Sequence, residues 1–278
     1  MTPSEGSILV GISNPETAHR LVGLSMALAD ATNEGGDTPV LLVHVVPVAN
    51  QISLSTGSSS PEVIQARDLL QRSADAALES GRQARAIVEV ARNVEEGLLA
   101  AAESHEASLI LVGYSGGEVR SKEEERFDRT MRRVAGKADA DVVVATFRHP
   151  DHRSILVPIA ENAPLRLTAK VCRALVAYTG GTVTYLHVTT PDVDEGEARA
   201  RIQARLDSVD RSVEGELEVI TSDDAEAAIV AESAEHDLVL LGPSGRPGLL
   251  DRIFSSRARR IAESVTASVV IGWRAEDD

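Results

Sequence analysis

Short runs of β-branched and aliphatic residues alternate along the chain with stretches in which apolar residues recur every three or four positions. In the first half the short runs are ILVGI, PVLLVHVV, AIVEVA, SLILVG and VVVATF, and in the second half ILVPI, TVTYLHV, LEVIT, LVLLG and SVVIGW. The stretches between them, such as ETAHRLVGLSMALADA and DAEAAIVAESAE, have the spacing of amphipathic helices. Strands that are apolar on both faces and separated by helices are typical of a parallel sheet covered on both sides. The pattern predicts an α/β fold of two tandem doubly wound domains, each a five-stranded parallel sheet with helices on both faces.

The two halves repeat the same order of elements. The opening Ser7-Ile-Leu-Val-Gly-Ile returns as Ser154-Ile-Leu-Val-Pro-Ile, and ASLILVGYSGG returns as HDLVLLGPSGR. Internal repetition of this kind indicates duplicated structural units. We therefore predict domains at residues 1–148 and 153–278, joined by a linker at RHPDHR. The additional NQISLSTGSSSP of the first copy is most simply a surface loop.

Composition restricts the classes of function. The chain has 278 residues, of which 43% are hydrophobic, and a formal net charge of −15. Such an acidic surface repels phosphate backbones, so we expect no nucleic-acid binding. It would also suit a salt-rich cytoplasm, which we keep as a hypothesis. No apolar run approaches a membrane span and the first residues lack a signal-peptide pattern, so we expect no membrane insertion. The single cysteine, Cys172, is predicted to be a small buried thiol, and together these features predict a cytoplasmic protein.

A glycine-rich stretch in the second half, GPSGRPGLLDRIFSSRARR, begins at Gly242. It leaves a buried strand through Gly242 and Gly245 and enters a helical pattern at Ser255-Ser256. The start of a helix presents unpaired N–H groups to an anion, and Arg257 would add charge. An ordinary tight connection between strand and helix would need the same residues, so the stretch alone leaves both interpretations open. The chain has no Gly-Lys-Ser/Thr, which argues against a P-loop ATPase.

The spacing Gly242-x2-Gly245-x9-Ser255-Ser256 closely resembles the universal stress protein signature G-x2-G-x9-G-(S/T), which holds the phosphates and ribose of bound ATP or AMP. The resemblance extends to ILVPI, LHV, DLVLLG and SVVIGW, and it covers nearly the whole chain twice. It implies a sheet that pairs through its last strand. The two halves would then form an intramolecular pseudo-dimer, with a homodimer of chains left open.

The resemblance also implies a set of cofactor-binding residues in the second domain. They are Ile159, Ala160, Val188, Leu241, Gly242, Gly245, Ser255, Ser256 and Arg257. Ala160 stands where the family has an aspartate that contacts the nucleoside, and Glu161 lies one position away. The backbone at the position of Val188 contacts the adenine in the family. Ser255 replaces the third glycine of the signature.

The first copy departs further from the signature. It keeps Gly113 and Gly116, but alignment puts Asp128 and Arg129 where the second copy has its serine pair, and Ser13 stands at the aspartate position. A carboxylate at a helix N-terminus would cap the helix and repel a phosphate. We therefore predict a degenerate first site, with Gly113 and Gly116 as its remaining contacts.

Two histidines, His44 and His187, occupy equivalent positions near strand ends, and RHPDHR contains two more. No His, Cys or Asp at metal-ligand spacing accompanies His44 or His187. RHPDHR holds two histidines and an aspartate, but it lies in the predicted linker, and we attribute this cluster to chance composition. We interpret the strand-end histidines as structural, and we predict no catalytic residue and no metal site.

These observations predict a non-enzymatic protein of stress response or regulation that binds an adenine nucleotide (ATP, ADP or AMP) mainly in its second domain. Mg²⁺ would accompany ATP alone. The alternative is a nucleotide-free regulatory module of the same fold that acts on a transporter or another partner. Slow ATP hydrolysis is a third, weaker alternative, because no general base is identifiable at the cradle.

Overall fold

Ten strands and eight α-helices alternate along the residues that the computed structural model describes. These residues are 6–32, 38–49, 60–79, 81–114, 122–149, 152–209, 213–243 and 256–273. They divide after Ala145 into two units, and each unit repeats the alternation of strand and helix.

The first unit contains a parallel sheet with helices on both faces. Its strands are β1 (Ser7–Gly11), β2 (Val40–Pro47), β3 (Ala84–Ala91), β4 (Ala107–Tyr114) and β5 (Asp141–Thr146), and its helices are α1 (Pro15–Thr32), α2 (Pro61–Glu79), α3 (Val94–Ser104) and α4 (Lys122–Ala135). The strand order is β3-β2-β1-β4-β5. Helix α1 contacts α2, and α3 contacts α4, so the helices form two separate layers.

The second unit repeats this arrangement. Its strands are β6 (Ser154–Pro158), β7 (Thr182–Thr189), β8 (Glu216–Thr221), β9 (Leu238–Leu241) and β10 (Ser268–Trp273), and its helices are α5 (Arg166–Thr179), α6 (Glu195–Val209), α7 (Ala225–Glu232) and α8 (Ser256–Ser264). The strand order is β10-β9-β6-β7-β8. A 3-10 helix, Ser233–Glu235, follows α7.

Burial explains why these runs form strands. Every residue of β1, β9 and β10 is buried, as expected for strands covered on both faces. Strands β3 and β8, each of which ends the order of its unit beyond β2 or β7, are more exposed. In β1 the pair Ile8–Val40 joins β2 and the pair Ile8–Leu109 joins β4, and both pairings are parallel.

Side-chain caps fix where two helices begin. The Asn93 carboxamide accepts a hydrogen bond from the Glu96 N–H at 2.9 Å. The Asp224 carboxylate accepts from the N–H groups of Glu226 and Ala227 at 3.1 and 3.0 Å. Both arrangements satisfy N–H groups that have no partner inside the helix. Asp224 is therefore the N-cap of the helix that begins at Ala225.

The predicted fold class is confirmed: both units are α/β with a five-stranded sheet, and every predicted strand is present. None of the helices within the described ranges is long and apolar enough to cross a membrane.

Candidate functional site

The candidate residues of the second unit meet at one edge of its sheet. The chain runs from β6 outward to β8 and then returns to β9 on the other side of β6, so the strand order reverses between β6 and β9. Ile159 and Ala160 follow β6, Leu241 ends β9 and Gly242 follows it, and Val188 lies near the end of β7. These strands are parallel neighbours, so their carboxyl ends share one edge. Such a switch point is where ligands bind in open α/β sheets.

The remaining candidates of the second domain belong to the segment between β9 and α8. Gly245 and Ser255 lie outside the described residues. Helix α8 begins at Ser256, and Arg257 is exposed in its first turn. Arg257 has no ion pair or hydrogen bond with any residue that the structure describes.

Gly242 has a packing role that is independent of any ligand. A Cβ atom at this position would lie 2.2 Å from Oγ1 of Thr168, a buried residue in the first turn of α5. The end of β9 and the start of α5 are thus in direct contact, and only glycine permits that approach.

The equivalent glycine of the first unit meets the same constraint. A Cβ atom at Gly113 would lie 2.7 Å from both terminal methyl carbons of Leu21, which is fully buried in α1. Gly116, the second predicted contact of this copy, lies outside the described residues. The glycine at the carboxyl end of the fourth strand is therefore needed in both units for helix packing.

The prediction that Asp128 stands at a helix N-terminus is wrong. Helix α4 already begins at Lys122, so Asp128 and Arg129 lie inside it, and the Asp128 carbonyl accepts a hydrogen bond from Arg132 Nε at 3.4 Å. Aligning Asp128 and Arg129 with Ser255 and Ser256 of the second copy placed the start of α4 too late in the sequence. Helix α4 begins six residues before Asp128. The ring of Phe127 in α4 stacks on Tyr114, the residue that follows Gly113, with centroids 5.0 Å apart.

The two strand-end histidines contact equivalent backbone positions. His187 is buried, and its Nδ1 lies 2.8 Å from the Ile159 carbonyl, which can only accept, so Nδ1 carries the proton. His44 is half-buried beside Ile12, the residue equivalent to Ile159. Burial lowers the pKa of His44 below 6.5, and the neighbouring Ile12 backbone opposes part of that shift. The hydrogen bond of His187 ties β7 to the residue that follows β6.

Two further sequence interpretations concern groups away from the switch point. Cys172 is completely buried, and burial raises the pKa of its thiol to about 11, so it is unreactive as a nucleophile. In RHPDHR, His149 Nε2 lies 2.9 Å from the Thr266 carbonyl and His152 Nε2 lies 2.9 Å from Ser268 Oγ. Across the described residues, no group of three His, Cys, Asp or Glu side chains could hold a metal ion.

The family model of the universal stress proteins matches residues 6–146 and 152–271. The chain belongs to the universal stress protein family. The two matched segments correspond to the two copies of the sequence repeat, so the predicted tandem arrangement of universal stress domains is confirmed.

Solved structures of universal stress proteins share this fold. One from Archaeoglobus fulgidus is 17% identical, covers 99% of this chain and 98% of its own, and has a TM-score of 0.61. The cytoplasmic domain of a prokaryotic cation chloride cotransporter is 12% identical, with coverages of 99% and 97% and a TM-score of 0.62. A universal stress protein from Archaeoglobus fulgidus in complex with dAMP is 18% identical over 50% of this chain and 96% of its own, with a TM-score of 0.36. No match to a curated protein was found.

Charge at the helix starts distinguishes the two universal stress domains. In the first, α1 has Glu16 in its first turn, and the sequence of α4 opens with KEEE. In the second, neither α5 nor α8 has an acidic residue in its first turn; they carry Arg166 and Arg257 there. Arg166 is exposed and, like Arg257, unpaired with any described residue. An arginine at a helix N-terminus opposes the helix dipole unless an anion is bound beside it.

Arg166 and Thr168 were not predicted as site residues, because the prediction considered the signature between β9 and α8 and not helix α5. The available signal was the connection after the first strand. Three residues separate β1 from α1, whereas seven separate β6 from α5. The later start of α5 puts Arg166 and Thr168 in its first turn.

Proposed function

We propose that this universal stress protein is a non-enzymatic cytoplasmic regulator that binds an adenine nucleotide through its second domain. The phosphates would lie between the N-termini of α5 and α8, and the nucleoside would lie along the carboxyl ends of β6 and β7. Gly245, Ser255 and Ser256 would contribute backbone N–H groups to the phosphates, and Mg²⁺ would accompany ATP alone.

One observation carries this proposal. Helices α5 and α8 follow the strands at the switch point. Each has an arginine and no acidic residue in its first turn, although the net charge of the chain is −15. The contact between Thr168 and Gly242 keeps the first turn of α5 against the end of β9. Two dipole ends and two unpaired guanidinium groups beside one crevice favour a polyanionic ligand over a neutral one.

The first domain lacks these features, which supports a single site per chain. Glu16 is in the first turn of α1, and α4 begins at Lys122, six residues before the position that aligns with Ser255. The rings of Tyr114 and Phe127 stack at this end of β4. Carboxylates at the helix starts would repel phosphates.

Calorimetric titration of the full chain with ATP, ADP, AMP and adenosine tests the proposal. We expect one nucleotide per chain and an affinity that rises with the number of phosphates. Arg257→Gln should weaken ATP binding by about fivefold, as expected for the loss of one exposed charge contact worth about 1 kcal/mol. Arg259→Gln is the matched control on the same helix, because Arg259 pairs with Glu263 at 3.0 Å. Equal binding by the wild type and Arg257→Gln, or no binding at all, would contradict the proposal.

A nucleotide-free regulatory module is the second candidate. Two features of Ala160 favour this candidate. Its side chain offers no carboxylate to a nucleoside, and its carbonyl already accepts hydrogen bonds from the protein. Mass spectrometry of ligand released from freshly purified protein separates the two candidates. Absence of nucleotide together with a silent titration would support the module. Release of inorganic phosphate from ATP above the uncatalysed rate would instead contradict the non-enzymatic role.

A further inference from the structure

The connection between β6 and α5 contains a β-turn at residues 160–163. The Ala163 N–H donates to the Ala160 carbonyl at 3.2 Å. The residue before the turn is fixed to β7, because the Ile159 N–H donates to the Leu186 carbonyl at 2.8 Å and the Ile159 carbonyl accepts from His187. This turn, which we call the switch-point turn, is exposed at the edge of the sheet where the candidate residues meet.

Arg205 of α6 bridges both ends of the switch-point turn. Its Nη1 donates to the Ala160 carbonyl at 2.8 Å, and its Nη2 donates to the Ala163 carbonyl. The Ala160 oxygen thus receives two hydrogen bonds, which use both of its lone pairs. The Ala160 carbonyl therefore has no lone pair left to accept a hydrogen bond from a ligand. Arg205 also fixes the position of the turn.

A second arginine, one helical turn earlier on α6, reinforces this contact. Arg201 Nη2 lies 3.0 Å from the Glu161 carboxylate, and its Nη1 lies 3.0 Å from the Glu197 carboxylate. These side chains are 42–68% exposed, so salt screens the pairs. Arg205 is partly buried and donates to carbonyls. Salt therefore weakens its contact with the turn less than the ion pairs of Arg201.

The core beneath the switch-point turn is incompletely filled. A cavity of about 20 Å³ lies between α5 and α6 and is lined by Ile159, Leu165, Thr168 and Leu206, among others. Its volume suffices for about one water molecule. Ile159 and Leu165, which flank the turn, are themselves buried and anchor both of its ends in this part of the core.

Among the described residues of the first domain, the connection after β1 shows no equivalent of this attachment. There the Asn14 carboxamide accepts from the Glu16 N–H at 2.9 Å, and the chain passes directly from β1 into α1. The bridging arginine therefore accompanies the longer connection of the second domain.

We propose that Arg205 is a positioning residue of the second-domain nucleotide site. By bridging Ala160 and Ala163 it holds the switch-point turn in one conformation and sets where α5 begins, so that Thr168 stands beside Gly242, with Arg166 in the same helical turn, before a ligand arrives. This inference rests on the proposed nucleotide binding and assigns that site a preorganising residue that does not touch the ligand.

The test compares Arg205→Met with Arg199→Met in the full chain. Arg199 lies on the same helix and donates to the Leu217 carbonyl, away from the switch-point turn, so its loss costs a similar contact. Titrations with ATP, AMP and adenosine are made well below the thermal midpoints of both variants. We expect Arg205→Met to weaken all three ligands by the same factor of about ten, as when the competent conformation falls to about a tenth. Arg199→Met should stay within about twofold, and Arg205→Lys should recover part of the loss because one ammonium can still reach one carbonyl.

The pattern across ligands separates positioning from direct contact. A loss that grows from adenosine to ATP would mean that Arg205 touches phosphate and would overturn the proposal. Unchanged affinity in Arg205→Met, or equal losses in Arg205→Met and Arg199→Met, would overturn it as well and leave nucleotide binding intact. A wild-type chain that binds none of the three ligands would remove the proposed function together with this inference.

Discussion

At the scale of single residues, Gly113 and Gly242 show how one residue type can have two explanations. The signature interprets them as glycines that admit a phosphate. The structure adds a constraint from packing, since a Cβ atom would overlap Leu21 in one unit and Thr168 in the other. The first copy keeps this glycine although it lacks the serine pair of the signature, so packing alone is sufficient to explain the glycine there.

Gly113→Ala should therefore destabilise the protein although it lies in the domain for which we propose no ligand. The added methyl would overpack a fully buried leucine, and we expect a loss of about 1–3 kcal/mol in the free energy of unfolding. Urea denaturation of Gly113→Ala, Leu21→Ala and the double variant measures this. The double variant should be more stable than the sum of the single losses by at least about 1 kcal/mol, because Leu21→Ala makes room for the methyl. Additive losses would show that the two residues do not compete for the same space.

At the scale of elements, helix α8 is stabilised by the segment that precedes β6. Arg148 donates to the carbonyls of Ala262 and Ala267 at 3.1 and 2.8 Å, and Ser268 Oγ accepts from the Arg148 N–H at 3.0 Å. A cation beside the last carbonyls of a helix also complements its dipole. The sequence RHPDHR was interpreted as a linker, but the described residues of this segment form part of the second unit.

Arg148→Met should consequently loosen α8 from its C-terminal end. Two charged hydrogen bonds to partly buried carbonyls are lost, and we expect about 1–3 kcal/mol of destabilisation. Arg153→Met is the matched control, since the Arg153 side chain is exposed and only its backbone N–H bonds to Asp237. Amide hydrogen exchange should rise in residues 256–264 of Arg148→Met and remain unchanged in Arg153→Met. Equal protection of α8 in both variants would contradict a capping role.

At the scale of the whole molecule, charge is the dominant property. The chain has 43 acidic and 28 basic residues, and most of the basic ones are arginines. Arg260 of α8 pairs with the Glu226 carboxylate at 2.7 Å. Exposed ion pairs of this kind each contribute little to the free energy of unfolding. The excess of negative charge opposes the compact state through self-repulsion.

Neutral salt should therefore stabilise the folded chain. Raising KCl from about 0.05 M to about 1 M shortens the Debye length from about 14 Å to about 3 Å and screens this repulsion. We expect the thermal midpoint to rise by roughly 2–4 °C for each kcal/mol gained, as measured by circular dichroism. Sucrose at equal osmolarity is the control for effects other than screening. A midpoint that falls with KCl would contradict the hypothesis of adaptation to a salt-rich cytoplasm.

The sequence by itself determined the secondary structure, the repeat and the family, because these depend on periodicity and on residues close along the chain. The apolar runs predicted every strand, and Asp224 could be recognised as a cap from its position before a helical pattern. Asp128 could not be placed correctly, because where α4 begins depends on contacts such as the stacking of Phe127 on Tyr114.

The tertiary structure alone decided which groups meet at the switch point. Arg205 and Ala160 are 45 residues apart in sequence, and Arg148 and Ala262 are 114 apart, so no local pattern connects them. The same holds for Thr168, which reaches Gly242 only because β9 returns to lie beside β6. Hydrogen bonds and close packing act over a few ångströms, and only the folded chain brings such distant residues within that range.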